Sequence, residues 1–241
     1  MSFDRHFQRR RRARNRLLML AALVAAATLG AATFAVLTRD SGSEKASSDQ
    51  KHSTSPPSSR PTSGSTEPDV LPNADAVKDG VPIGYPHTVK GAISAAAHFY
   101  DISDPFDPSA QEKLARITAV PGKEKELGDD AFRFAMALRS SAGLQPVGES
   151  DNANFYTAQS RAYRISAAKA DKVVVWILTD TELSVRGVMK SETTVQTASL
   201  LWAEGDWKFT THEDRRKEPR PVVPDSSEAV REGWRTLAYE K

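Results

Sequence analysis

Five histidines, at positions 6, 52, 87, 98 and 212, are the imidazoles with which this chain could run acid–base or metal chemistry near neutral pH. They form no HExxH or other short-range ligand spacing. His87 follows Gly-Tyr-Pro beside an expected helix start, where capping or hydrogen bonding is its expected role, and His98, next to Phe99 and Tyr100, is expected at a helix rim. Asp129 and Asp130 are adjacent on an expected helix, so they point to different azimuths and make a poor acid–base pair. No G-x-S-x-G, Walker loop or dinucleotide fingerprint occurs. Ser48-Asp49-Gln50-Lys51 reproduces the S-x-x-K of penicillin-recognising enzymes, but in a polar tether rather than on a helix in a packed pocket. With no cysteine in the chain, a thiolate nucleophile, a disulfide, a zinc–thiolate site and a lipid-modified cysteine anchor are all excluded. No catalytic residue, metal site or cofactor is assigned, and an enzyme is not expected. What remains is an aromatic set, Tyr163, Trp176, Trp202, Trp207 and Phe209, expected to form core or the lining of a pocket.

The segment that places these residues in the cell lies far from them. Leu17 to Leu37 is 21 residues without a charge. As a helix it spans about 31 Å, which matches the ~30 Å hydrocarbon core of a bilayer. Residues 1–16 carry seven Arg and one Asp, whereas the other flank has Arg39 followed by Asp40, Glu44 and Lys45. The positive-inside bias therefore keeps residues 1–16 in the cytoplasm and places everything after Leu37 outside. The run exceeds the ~7–15 residues of a signal-peptide core, so a retained single-pass anchor in the cell membrane is expected, with signal-peptidase cleavage at the small-residue pattern around Ala32 to Ala35 as the alternative. The tail's charge of +6 against +2 for the whole chain leaves the remainder at −4, which argues against an exported nucleic-acid binder.

Residues 38–80 are rich in Ser, Thr, Pro and charge and poor in aliphatic side chains, the composition of a disordered linker. As a flexible coil it would have an r.m.s. span near ~35–40 Å. Residues 81–241 are expected to fold as one extracytoplasmic domain. Thr88 caps a helix over about 88–100, with Val89, Ala92, Ile93, Ala96, Phe99 and Tyr100 at helical spacing. Asp107-Pro108 opens a second helix that Pro121-Gly122 ends. A third runs from about Lys123, with Leu127, Ala131, Phe134, Ala135 and Leu138 on one face, until Gly143 stops it. The period then turns strand-like: Tyr163 to Ala167, Lys172 to Leu178, an edge strand within Glu182 to Met189, Thr193 to Trp202, and a tight hairpin through Ala203-Glu204-Gly205-Asp206 into Trp207-Lys208-Phe209. Ser226 to Ala238 reads as a terminal helix with Val230, Trp234 and Leu237 inward. Helices first and an antiparallel meander second predict an α+β domain, a curved sheet over a helical layer.

Three segments, Gly80–Tyr100, Tyr163–Leu178 and Ala198–Phe209, resemble single-span actinobacterial, streptomycete-type proteins of unassigned role. Those are similar in layout to VirB8-like components of conjugative, type IV secretion systems. The resemblance implies an NTF2-like (cystatin-like) cone of helices packed on a curved antiparallel sheet. It also implies action by protein contacts rather than catalysis. The expected partners are the lipid bilayer, other envelope or transfer-apparatus proteins and further copies of the chain, with no nucleic acid. The expected function is a membrane-anchored extracytoplasmic scaffold or assembly protein. The alternative is an extracytoplasmic small-ligand-binding or enzymatic NTF2-like domain, which would need a polar cluster inside the cone.

Overall fold

The apolar run Lys172–Leu178 is too continuously hydrophobic for a strand with one wet face, and its surroundings explain why. The computed structural model describes residues 67–210 and 218–240. Within them the elements are β1 (Asp69–Leu71), β2 (Ala76–Lys78), β3 (Val81–Ile83), α1 (Val89–Ile102), α2 (Pro108–Thr118), α3 (Glu124–Ser141), β4 (Phe155–Lys169), β5 (Lys172–Val185), β6 (Val188–Ala203), β7 (Asp206–Phe209), α4 (Ser227–Arg231) and β8 (Arg235–Tyr239). The domain is α+β. Six strands in the order β1-β8-β4-β5-β6-β7 form the main sheet, antiparallel except where β1 runs parallel to β8, and β2 and β3 form a separate hairpin.

Alternate residues of β5 enter two different cores. Val173, Val175 and Ile177 pack with Tyr163, Ala198, Leu200 and Trp207 against α1. Trp176 and Leu178 face the other way and pack with Ala162, Val195, Val222, Ala229 and Trp234. A strand buried on both faces needs no polar alternation, which accounts for the unbroken Val-Val-Val-Trp-Ile-Leu. Pairing between β4 and β5 shifts register at Ser160/Ala162 and again at Ile165/Ala167. Such bulges bend and twist a strand, and they curl this sheet around α1.

Helix α1 is the axis of the inner core: every residue from Gly91 to Ala97 is buried. The Thr88 side chain accepts from the Gly91 N–H at 3.0 Å, the cap the sequence predicts. Asp107 caps α2 through the Ala110 N–H at 2.9 Å, with Pro108 opening the helix. Past the end of α3, Gly143 takes φ 70°, the left-handed stop expected of it. Just before that stop, buried Arg139 donates to three main-chain carbonyls, Phe106, Gln145 and Glu149, at 2.5, 2.7 and 3.2 Å. Arg139→Met keeps much of the stem but leaves those carbonyls without a donor, so a loss of about 1–3 kcal/mol is expected. Hydrogen exchange in residues 143–150 should rise more than in β5; a uniform rise across the domain would contradict this role.

Three expectations are corrected. Ordered chain begins inside the segment assigned to the linker: β1 and β2 precede residue 81, and Leu71 is fully buried. The terminal helix is only Ser227–Arg231; Gly233, at φ 84°, turns the chain, and Arg235–Tyr239 is a strand between β1 and β4. Val230 is 45% exposed rather than inward, while Trp234 and Leu237 are buried on opposite faces of the sheet. The edge strand over Glu182 to Met189 is the end of β5, a two-residue turn at Arg186-Gly187 and the start of β6. Both turn residues have positive φ, 53° and 77°, as do Glu204 and Gly205 in the β6–β7 turn. This is the geometry that matches the twist of two-residue hairpins.

The readings of residues 1–16, of Leu17 to Leu37, of the linker up to residue 66, and of His6, His52 and His212 lie outside the described residues. Among the described residues, no helix is long and apolar enough to cross a membrane.

Candidate functional site

The aromatic set does not share one pocket. Cross-strand register puts Tyr163 opposite Ile177, and Trp202 opposite Trp207, on the inner face together with Phe209. Trp176 lies one residue out of that phase, so it faces the outer core, with the Arg164 guanidinium 5.4 Å from its ring centre. Trp207 is buried and its Nε1 donates to Pro86 O at 2.9 Å. Trp202 is half-buried and stacks on His87, with centroids 4.1 Å apart and planes 10° apart. His87 Nε2 lies 3.1 Å from Ala170 O and 2.9 Å from Asp171 Oδ1, on the β4–β5 turn. Gly84–Thr88, the β4–β5 turn and the β6–β7 hairpin thus meet at one corner.

Between α1, α2, β3 and β7 the space among Tyr85, His98, Phe99, Trp207 and Phe209 is about 10 Å³. That is about the room one water needs, far below the ~300–1,000 Å³ of small-molecule pockets. The interior is polar in places, and most of its polar groups hold one another, while the buried Thr179 Oγ1 has no hydrogen-bond partner among the described residues. Tyr85 Oη and His98 Nδ1 are 2.9 Å apart, and His98 stacks on Tyr239 at 4.3 Å. Ser94 Oγ is 3.4 Å from the same His98 nitrogen but donates to Pro72 O at 2.6 Å. Asp101 accepts from the Tyr239 hydroxyl and from the Ser160 N–H. Burial is the main cause that raises the Tyr85, Tyr163 and Tyr239 phenols well above their usual range, reinforced by neighbouring carboxylates. At neutral pH these phenols therefore serve as hydrogen-bond donors and not as bases.

Two carboxylates organise this interior, and neither was singled out from the sequence. Asp206 Oδ1 accepts from the N–H groups of Tyr85 (3.1 Å) and Trp207 (2.9 Å), while Oδ2 pairs with Lys208 Nζ at 3.1 Å. Lys208 donates in turn to Ile117 O. Asp69 accepts from the Tyr163 hydroxyl at 2.7 Å and pairs with Lys90 and Arg235, each at 3.1 Å. The Gly-Asp-Trp of the β6–β7 hairpin was the signal available for Asp206; Asp69 sits in a polar stretch without periodicity and carries none. Asp129 and Asp130 are engaged separately, Asp129 with Arg116 and Lys125 and Asp130 with Arg133. Among the described residues, no three of His, Cys, Asp or Glu are grouped to hold a metal ion.

Two pH effects follow. Burial lowers the basicity of His98, and nearby Asp101 only partly offsets this. The unfolded chain, with a His pKa of about 6.5, therefore binds the proton more readily, and stability falls as pH drops below that value toward the folded one. At Asp69 burial favours the neutral acid, but the Tyr163 hydrogen bond, Lys90 and Arg235 outweigh it, so the folded pKa is lowered. Its contribution is complete above the unfolded value of about 3.9 and is lost as pH falls through the folded one. Denaturation midpoints from pH 8 to pH 3 should decline in two stages, and His98→Gln should flatten the first only. An unchanged first stage would remove His98 as its source.

The charged groups at the α2 surface border a cleft of about 530 Å³. It opens between the β2–β3 turn, α2 and the β6–β7 turn, and nothing local in the sequence marks it. No curated protein and no solved structure matches the chain. A family model does match, from residue 42 to residue 231, most of the chain and all of the domain from β1 to α4. The chain therefore belongs to the family described as a domain of unknown function, DUF8175.

Proposed function

We propose that this chain is a membrane-anchored extracytoplasmic scaffold, held by Leu17 to Leu37, whose folded domain works by contacts with other envelope proteins in a conjugative or type IV-like transfer apparatus. The observation that carries the reading is the filled inner face of the sheet. An NTF2-like cone that bound a small ligand or ran a reaction would keep its interior open, whereas here Tyr163, Val175, Ile177, Leu200 and Trp207 pack the inner face against α1, and Tyr85, His98, Asp101 and Tyr239 are bonded to one another. The anchor and its orientation come from the hydropathy and charge of residues 1–37. A tether of the length read from the sequence supports the same reading, since it raises the local concentration of partners in the membrane without demanding strong contacts.

The test is in-cell crosslinking of the full chain followed by detergent extraction and mass spectrometry. Crosslinks to other envelope proteins, together with external accessibility of the domain, are expected. Recovery of the bait alone in several detergents, or a domain shielded on the cytoplasmic side, would overturn the proposal.

A further inference from the structure

The 530 Å³ cleft has an unusual charge inventory once internal pairs are set aside. Arg116 on its wall is occupied by Glu112 and Asp129, its Nη2 lying 2.6 and 2.8 Å from their oxygens. Lys208, whose side chain is 13% exposed, is held by Asp206 and by Ile117 O. The Glu124 carboxylate, at the start of α3, has its pKa lowered by nearby main-chain N–H groups but pairs with no cation among the described residues. Five ionic groups are left, Lys78 and Asp79 on the β2–β3 turn, Lys113 on α2, Glu124 at the start of α3 and Glu204 on the β6–β7 turn. None of them has an ion-pair partner among the described residues. Asp79 and Glu204 occupy left-handed turn positions, at φ 51° and 53°, so both carboxylates are carried on tight, well-defined turns.

Two unpaired cations and three unpaired anions around one concave surface select against ligands of a single charge sign. A polyanion such as nucleic acid would meet Asp79, Glu124 and Glu204, and a polycation would meet Lys78 and Lys113. From this complementarity we infer that the cleft between the β2–β3 turn, α2 and the β6–β7 turn is a docking site for a short peptide segment of a partner protein that carries both charge signs. The volume lies within the range of sites that enclose a ligand of that size. The inference rests on the scaffold reading and gives that reading a place on the surface. Opposite charges set the register of such a segment and penalise single-sign competitors, which makes this a specificity device more than a source of high affinity.

The test uses the full chain in detergent and fluorescence anisotropy with labelled peptides of equal length: one alternating Lys and Glu between glycines, one with Lys only, one with Glu only. Free lysine and free glutamate serve as competitors. The mixed peptide should bind about tenfold more tightly than either single-sign peptide, and Lys113→Glu or Glu204→Lys should each remove most of that advantage. Both positions are exposed, and an unchanged unfolding midpoint shows that the fold is retained. Equal binding of the three peptides, insensitivity to both charge reversals, or competition by free amino acids at the peptide's own concentration would overturn the assignment. If envelope crosslinks persist while the mixed peptide fails, the cleft is wrong and the scaffold reading stands. If the peptide binds but no envelope protein is crosslinked, the scaffold reading falls and the cleft remains a peptide site.

Discussion

Gly91→Ala unfolds this domain at markedly lower denaturant, with an expected loss of about 3 kcal/mol or more. A Cβ at residue 91 would stand 2.0 Å from Pro86 O and 3.0 Å from its carbonyl carbon. No rotamer can relieve the clash, because both partners are backbone. The Pro86 carbonyl must move, and it accepts the indole N–H of buried Trp207 at 2.9 Å as well as the Thr88 N–H at 2.7 Å. The substitution thus combines overpacking with the loss of buried hydrogen bonds, two of the mechanisms behind the largest single-residue effects. The gain in helix propensity from Gly to Ala, about 1 kcal/mol, is too small to offset this. All four tryptophans lie in the described domain, so intrinsic fluorescence during urea unfolding of the full chain reports on it directly. A midpoint equal to that of the parent chain would show that the α1 start and the Gly84–Thr88 segment are not packed as described.

Asp206→Ala should cost about 3–5 kcal/mol, the range for breaking a buried ion pair by removing one partner. It strips the acceptor from two main-chain N–H groups and leaves the Lys208 ammonium in a mostly buried position with one carbonyl for company. Asp206→Ala with Lys208→Met removes the stranded charge and should recover a substantial part of the loss. That coupling is the diagnostic, since independent sites would simply add. Additive losses would mean that Asp206 acts through the Tyr85 and Trp207 amides alone.

Local chemistry was legible in the sequence wherever the partner lay within a few residues. Thr88 and Asp107 are caps, Gly143 is a stop and Glu204-Gly205 is a two-residue turn because each answers to backbone geometry nearby. The terminal strand was not legible. Val230, Trp234 and Leu237 recur at helical spacing, and only the pairing of Ala162 and Tyr163 with Thr236 and Arg235 decides for a strand. β1 is three residues in a polar stretch, with Leu71 alone to fill a hole in the core. The aromatic set, expected as core or pocket lining, is divided between two core clusters, a division the sequence did not show for a related reason. Phase within a strand is readable, but which phase of β5 meets which phase of β4 depends on a register interrupted by two bulges. The charges of the large cleft arrive from three distant segments, so no window of sequence contains them.

The insertion of β8 between β1 and β4 bears on timing. Asp69 pairs with Leu237 and Leu71 with Tyr239, so the first strand of the domain has no sheet to join until the last strand has been synthesised. Loop closure on that scale delays folding, because the entropy is lost before the contacts form. A nascent chain emerging N-terminus first would therefore hold its sheet incomplete, with Leu71 unburied, until Arg235–Tyr239 had appeared. Deleting Arg235–Tyr239 would remove the seat on which the beginning of the domain closes.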